Sequence, residues 1–400
     1  MTTNVRDRIK KLAQNHYSDT VEIRRYIHNN PELSFAEYET SAYIQEQLRQ
    51  IGIPFRAGYA DTGIAGWIEG KNPSGRTVAL RADMDALPID EKNDLPFKSK
   101  HTGVMHACGH DLHMAALLGA AKILHELRDE FNGKVMLIFQ PAEERIPGGA
   151  SLMLKEGVFG DKLPDLIIGQ HVMPLLEAGK VGYRPGVYMA SSDEIYITVK
   201  GMGGHAAMPH QITDPVLIAA HIITALQQVA SRYANPAVPS VLSFGKVDAP
   251  GSTNVIPAEV RIEGTFRTMN ETWRKAAHEK ITKMTVSIAE GMGGSCEVKI
   301  LHGYPVLSNH EAYTNWAAGL SRQFLGAENV VDLELRMTAE DFAYFAEQIP
   351  GVFYRFGTTD AGGKYTSPLH SATYMADETA LNTAMGNLSY LAISFLQEVK

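Results

Sequence analysis

Apolar residues at Met114, Leu117, Leu118, Ala121, Leu124 and Leu127 recur at helical spacing, and Gly133 predicts the end of that helix. Val21 to His28 and Ala36 to Ile51 read as two further helices, separated at Pro31. Short, nearly continuous apolar runs predict strands over Gly63 to Glu69, Thr77 to Ala82, Lys134 to Gln140 and Asp165 to Gly169. The second runs into Arg81-Ala82-Asp83-Met84-Asp85, and Pro88 stops it from continuing as a regular central strand. The third stops at Pro141-Ala142-Glu143-Glu144 and the fourth at Gln170-His171. Helices alternating with strands apolar on both faces predict an α/β fold around a largely parallel sheet.

From about Gly186 the rhythm changes. Glu194 to Lys200, Val238 to Val247, Ala258 to Thr268 and Cys296 to Leu301 read as strands, with helices from Asp214-Pro215 through Tyr233 and from Glu271 to about Glu290. The order β-α-β-β-α-β is that of a ferredoxin-like α+β unit of about 110 residues. Afterwards the earlier pattern resumes, with helices at Trp316 to Phe324 and Thr338 to Phe345, a strand at Val352 to Phe356, and a loop from Gly362-Gly363 to Pro368-Leu369-His370. A chain of 400 residues exceeds what one core usually holds. The expected division is therefore a larger domain over 1–185 and 299–400, with 186–298 inserted into it.

Composition narrows the function classes. A hydrophobic fraction of 44% and a charged fraction of 20% are ordinary for a globular protein. A net charge of −8 without a basic block argues against a nucleic-acid partner. No apolar run is long enough to cross a bilayer, and Met1 to Lys11 is polar, unlike a signal peptide. Two cysteines without an export signal fit a reducing cytoplasm, the expected location.

Candidate chemistry concentrates at His106-Ala107-Cys108-Gly109-His110-Asp111, flanked by His101 and His113. A thiolate and an imidazole two residues apart can face one metal ion where the backbone is turned. The same stretch also suits a turn capping the following helix, with Asp111 at the N-cap. Asp83, Glu143/Glu144 and His171 each stand at the C-terminal end of an expected strand, the edge where open α/β sheets hold ligands. Two charges ending an apolar strand are costly unless a cation compensates. One of Glu143 and Glu144 would then be a ligand, and the other could accept a proton from the attacking water.

The motifs, taken in order, resemble the dimetal amidohydrolase family of hippurate hydrolase, N-acyl-amino-acid amidohydrolases and plant auxin-conjugate hydrolases, within the aminoacylase–carboxypeptidase clan. The resemblance runs through Pro31-Glu32-Leu33-Ser34-Phe35, Arg81 to Pro88, His106 to His113, Gln140 to Glu144 and Gln170-His171. It continues through Gly203-Gly204-His205-Ala206-Ala207, Asn254-Val255-Ile256-Pro257, Glu340-Asp341-Phe342 and Pro368-Leu369-His370. It implies two divalent metal ions per subunit, zinc or manganese with cobalt or nickel also compatible, held by Cys108, His110, Glu144, His171 and His370. It further implies Glu143 as general base and the inserted domain as a lid and dimerisation domain. There His205 would reach the scissile carbonyl, and Asn254 and Arg267 would contact the substrate carboxylate. Asp83 matches a carboxylate behind the ligands; the wider clan has a histidine where Arg81 stands, so Cys108 would supply the ligand lost there. One departure is that Ser371-Ala372-Thr373 follows His370, where similar sequences place a proline, which leaves that backbone less rigid.

The resemblance thus implies metal-dependent hydrolysis of N-acyl amino acids by a homodimer or higher homo-oligomer. A dipeptidase or carboxypeptidase using the same site, and a deacetylase of an acetylated diaminopimelate or cysteine intermediate, are the alternative enzymes. A silent binding protein of the same fold is the alternative from another class, although no expected ligand or base is missing.

Overall fold

The computed structural model describes residues 3–397, so residues 1–2 and 398–400 of the expected larger domain lie outside the described residues. The chain forms two compact units, one of Met1–Gly186, Ser308–Glu334 and Asp341–Lys400, the other of Val187–Leu307 and Leu335–Glu340.

The larger unit begins with helices α1 (Thr3–Asn29) and α2 (Tyr38–Ile51). Strands β1 (Phe55–Tyr59), β2 (Gly63–Glu69) and β3 (Thr77–Asp83) follow, then α3 (His110–Glu126), β4 (Lys134–Gln140) and α4 (Gly149–Lys155). Strands β5 (Leu166–Glu177) and β6 (Val181–Tyr183) complete this part. The smaller unit holds β7 (Asp193–Lys200), α5 (Pro215–Gln228), β8 (Ser240–Asp248), β9 (Glu259–Thr268), α6 (Glu271–Gly291) and β10 (Ser295–His302). The larger unit resumes with α7 (Glu311–Leu325), β11 (Val330–Asp332), α8 (Phe342–Gln348), β12 (Gly351–Thr359) and α9 (Ala380–Gln397).

An eight-stranded sheet in the order β1-β2-β4-β3-β5-β12-β6-β11 organises the larger unit. Its centre, β4-β3-β5-β12, is parallel, and antiparallel pairs bring in β1, β2 and β6. Helix α3 is buried on nearly every side between the sheet, α1 and α9. Leu112, Leu117, Leu118 and Leu124 are fully buried, each contributing about 1.5–3 kcal/mol by leaving water. Their packing fixes the first turn of α3, where His110 stands.

Three expectations differ from the structure here. Strand β5 does not stop at His171 but runs through it to Glu177. Its pairing with β3 ends at Gly169, and beyond that, among the described residues, only β12 pairs with it, so Pro174 removes no ladder bond on the open side. The helix expected from Thr338 begins at Phe342. The return expected at 299 would cut β10, whose Lys299 and Leu301 pair with Tyr196 and Glu194 of β7; the division instead follows Leu307.

The smaller unit is an antiparallel sheet in the order β8-β9-β7-β10, the ferredoxin-like arrangement. Ile195, Ile197 and Val199 alternate into a core with Ile218 and Ile222 of α5 and Ile281 of α6. Asp214 caps α5 by accepting from Val216 N and Leu217 N, with Pro215 in the first turn. Among the described residues no helix is long and apolar enough to cross a membrane.

Candidate metal centre

Gly109 turns the chain between Cys108 and His110. Its φ is +80°, and a Cβ there would lie 2.7 Å from Val172 Cγ2, so both backbone and space require glycine. Gly109 also takes the N-cap position, and Asp111 lies inside the helix instead. The Asp111 carboxylate accepts from Arg24 Nε at 2.7 Å and His28 Nδ1 at 2.8 Å, which anchors α3 to α1.

The structure brings the five expected ligand residues and Glu143 together in the larger unit. Donor atoms of Cys108, His110 and His171 lie within 4.8 Å of one another, as do those of Cys108, Glu144 and His370, and of His110, Glu143 and Glu144. His171 Nδ1 donates to Val172 O at 2.9 Å, which leaves Nε2 facing Cys108 Sγ at 3.5 Å. His110 Nδ1 donates to Asp85 O at 2.9 Å. Its buried Nε2 has no hydrogen-bond partner among the described residues and faces Asp83 Oδ2 at 3.8 Å and the Glu143 and Glu144 carboxylates at 4.0 Å. His370 Nε2 lies 3.1 Å from Glu144 Oε1. His113 also approaches Asp83 and His110, but both its nitrogens are spoken for. Its Nδ1 donates to Asp83 Oδ1 at 2.5 Å and its Nε2 accepts from Val172 N at 2.9 Å.

Charge follows the same geometry. Burial alone would push His110 down, but the carboxylates of Asp83, Asp85 and Glu144 push it up to about 10. Burial, and then the Glu144 and Glu143 carboxylates, hold the Cys108 thiol well above its ordinary range. Burial, aided by Arg355, pushes His171 well down and keeps its Nε2 lone pair available. Burial would raise Asp83, yet His110, Arg81 and His113 hold it well below the usual carboxylate range.

Behind these groups stand residues whose part was not visible in the sequence. Asp85 accepts from Glu143 N at 3.1 Å, Glu144 N at 2.9 Å and Ser34 Oγ at 2.6 Å. Arg81, fully buried, donates to Gln140 Oε1 at 2.8 Å, Asp83 Oδ2 at 2.6 Å and Asp341 Oδ1 at 2.9 Å. Arginine at this position thus organises carboxylates and offers no lone pair to a metal. The expected loss of rigidity after His370 is offset by backbone bonds. His370 N donates to Ala107 O, Tyr374 N to Ser371 O, and Lys92 N to Ala372 O.

The remaining expected site residues belong to the smaller unit. His205 is exposed on a short strand paired with Val255, and its Nδ1 accepts from Ala207 N at 3.1 Å. Exposed Asn254 accepts at its carbonyl from Ala206 N and at Oδ1 from Ser252 Oγ. Half-buried Arg267 on β9 donates to Met337 O at 3.2 Å, and burial pushes its guanidinium down.

The donor set fits divalent cations. It combines one thiol, three imidazoles, of which His110 and His171 have the other nitrogen fixed by a carbonyl, and carboxylates. The buried, unpartnered His110 Nε2 amid carboxylates is a place where a cation would replace a proton.

The sequence profile of "Peptidase family M20/M25/M40" matches residues 79–388. The chain is 41% identical over 359 residues to the N-acetyl-L-cysteine deacetylase of Bacillus subtilis, covering 90% of this chain and 84% of that protein. It is 42% identical over 306 residues to the N-acyl-L-amino acid amidohydrolase of Geobacillus stearothermophilus, covering 76% of this chain and 82% of that one. The crystal structure of Bacillus subtilis YXEP protein, a dinuclear metal-binding peptidase, matches with a TM-score of 0.82 and 36% identity, covering 96% of this chain and 100% of that one.

Proposed function

The chain belongs to peptidase family M20/M25/M40, and from that premise we propose that it hydrolyses the amide bond of N-acyl amino acids to a carboxylate and a free amino acid. The observation that carries this reading is the convergence of Cys108, His110, Glu144, His171 and His370, with the Glu143 carboxylate beside His110 and Glu144. Relatives named for deacetylation and for hydrolysis of N-acyl amino acids support it.

Cys108, His110, Glu144, His171 and His370 would hold two divalent ions, zinc or manganese, as a mixed sulfur, nitrogen and oxygen set suits them. Bound there, the ions would polarise the scissile carbonyl and make water acidic enough to be deprotonated near neutrality. The chain's own part begins at Glu143, whose amide is held by Asp85. Its carboxylate takes the proton from the attacking water and returns it to the leaving amine. His205 donates a hydrogen bond to the oxyanion. Arg267 and Asn254 receive the substrate carboxylate. Among the described residues no carboxylate pairs with Arg267, and a guanidinium fork matches an incoming one.

We place the protein in the cytoplasm as a homodimer, each subunit lending its exposed His205 to its partner. The unpaired thiols of Cys108 and Cys296 support a reducing compartment.

The test is a hydrolysis screen of acetyl- and benzoyl-amino acids against dipeptides, before and after chelation and on return of zinc or manganese. N-acyl amino acids should be cleaved, with activity lost on chelation and restored by metal. Cleavage of dipeptides alone would make the protein a dipeptidase. Full metal content without any turnover would make it a binding protein.

A further inference from the structure

Glu37 is the first residue of interest outside the donor set. It stands at the N-cap of α2, yet its side chain makes no cap there. Glu32 takes that task, accepting from Glu39 N at 3.1 Å and Thr40 N at 2.8 Å. The Glu37 carboxylate turns away, fully buried, and Oε1 accepts from Ala142 N at 2.8 Å and Phe35 N at 3.1 Å. Oε2 accepts from Thr62 Oγ1 at 2.9 Å. The charged group acting on it most is Asp85, another carboxylate. Burying an acid among neutral donors and beside a second acid is unfavourable unless the arrangement secures something else.

What it secures is the turn that carries Glu143. Ala142 adopts φ +52°, left-handed for a residue with a Cβ, an unfavourable conformation kept only where the surroundings enforce it. Those surroundings are Glu37 on Ala142 N and Gly149 N donating to Ala142 O at 3.0 Å. Gly149 comes so close that a Cβ there would lie 1.8 Å from Pro141 O. Three successive amides, Ala142, Glu143 and Glu144, are thus received by two buried carboxylates, Glu37 and Asp85. The segment Ser34–Glu37 holds both ends, because Ser34 Oγ donates to Asp85 Oδ2.

We propose that Glu37 is a positioning residue for the reaction: by holding Ala142 in its left-handed conformation it sets the direction in which the Glu143 side chain leaves the turn. The inference rests on Glu143 being the general base. Glu37 touches neither a donor of the metal centre nor the reacting atoms, so it acts on rate through geometry.

The test compares Glu37→Ala, Glu37→Gln and Glu37→Asp in the full-length holoenzyme. Readouts are kcat and KM on an N-acyl amino acid, metal content, and amide hydrogen exchange over Ala142–Glu144. Glutamine keeps an acceptor at the same reach and should stay within about threefold of wild type in kcat. Glu37→Ala should lower kcat about 10- to 100-fold with KM and metal content unchanged and faster exchange at Ala142–Glu144. Glu37→Asp keeps the charge but is one methylene short of Ala142 N, so it should lose kcat as alanine does. It carries the test should Glu37→Ala fail to fold. Wild-type kcat in Glu37→Asp, or a Glu37→Gln as impaired as Glu37→Ala, overturns the proposal. A wild type that hydrolyses no amide overturns the reaction itself. Exchange then still decides the clamp, with unchanged protection in Glu37→Ala counting against it.

Discussion

Asp85 receives the Glu144 backbone amide on Oδ2 at 2.9 Å, and the Glu143 amide on its other oxygen at 3.1 Å. One carboxylate, four residues past the mid-strand Arg81, thereby fixes a turn that follows a different strand. The same residue orients His110, whose Nδ1 lies 2.9 Å from Asp85 O and 3.2 Å from the side-chain Oδ1.

Asp85→Ala should therefore damage stability and metal binding together. It leaves the donors of Glu143 N, Glu144 N and Ser34 Oγ without their acceptor. Each stranded donor costs about 1–3 kcal/mol, so a total loss of roughly 3–9 kcal/mol is expected in urea unfolding. Metal affinity should fall about 10- to 100-fold, as it does when a group orienting a ligand is removed. Stability within 1 kcal/mol of wild type, taken as roughly the smallest meaningful difference, would show that the turn stands without Asp85.

The Glu37 carboxyl is pushed up to about 7 by burial and by the Asp85 charge. In the unfolded chain it titrates at about 4.3. A raised folded value means that the stability of the protonated form is fully present below about 4.3 and lost as pH rises through about 7. Glutamine cannot ionise. Metal-free Glu37→Gln should therefore gain on wild type between about pH 5 and pH 8, by up to about 3 kcal/mol. Urea denaturation at both pH values measures it, and a constant difference would contradict the environment assigned to Glu37.

In the metal-free protein at neutral pH, His110 and Cys108 both carry protons, since one is pushed up to about 10 and the other lies well above its ordinary range. Ligation requires both to give them up, so metal binding near pH 7 should release about two protons per site. Calorimetric titration in buffers of different ionisation enthalpy counts them. Release of none would remove Cys108 and His110 from the ligand set.

Much of the fold was legible in the sequence, and the reason is two-sided burial. Strand β4 spans Lys134–Gln140, as its continuous apolar run predicts. Helix α1 extends far ahead of Val21, because only Val5, Ile9 and Ala13 mark its buried stripe amid charged residues. Helix α9 is not among the expected elements, since buried Asn387, Ser389 and Ser394 interrupt its apolar pattern. The side chains that come together around His110 were nameable from residue type and motif order. The roles of Glu37 and Asp85 were not. Their bonds run from side chain to backbone amide across 105 and 59 positions, and such pairings leave no spacing to read.

In the proposed mechanism Glu143 moves protons while its neighbour Glu144 holds metal. Metal content and kcat, measured together for Glu143→Ala and Glu144→Ala, separate the two roles. Glu143→Ala should keep the wild-type metal content while kcat falls about 10²- to 10⁴-fold, and Glu144→Ala should lose metal as well as turnover. Equal metal loss in both variants, or a Glu143→Ala that retains wild-type kcat, would contradict it.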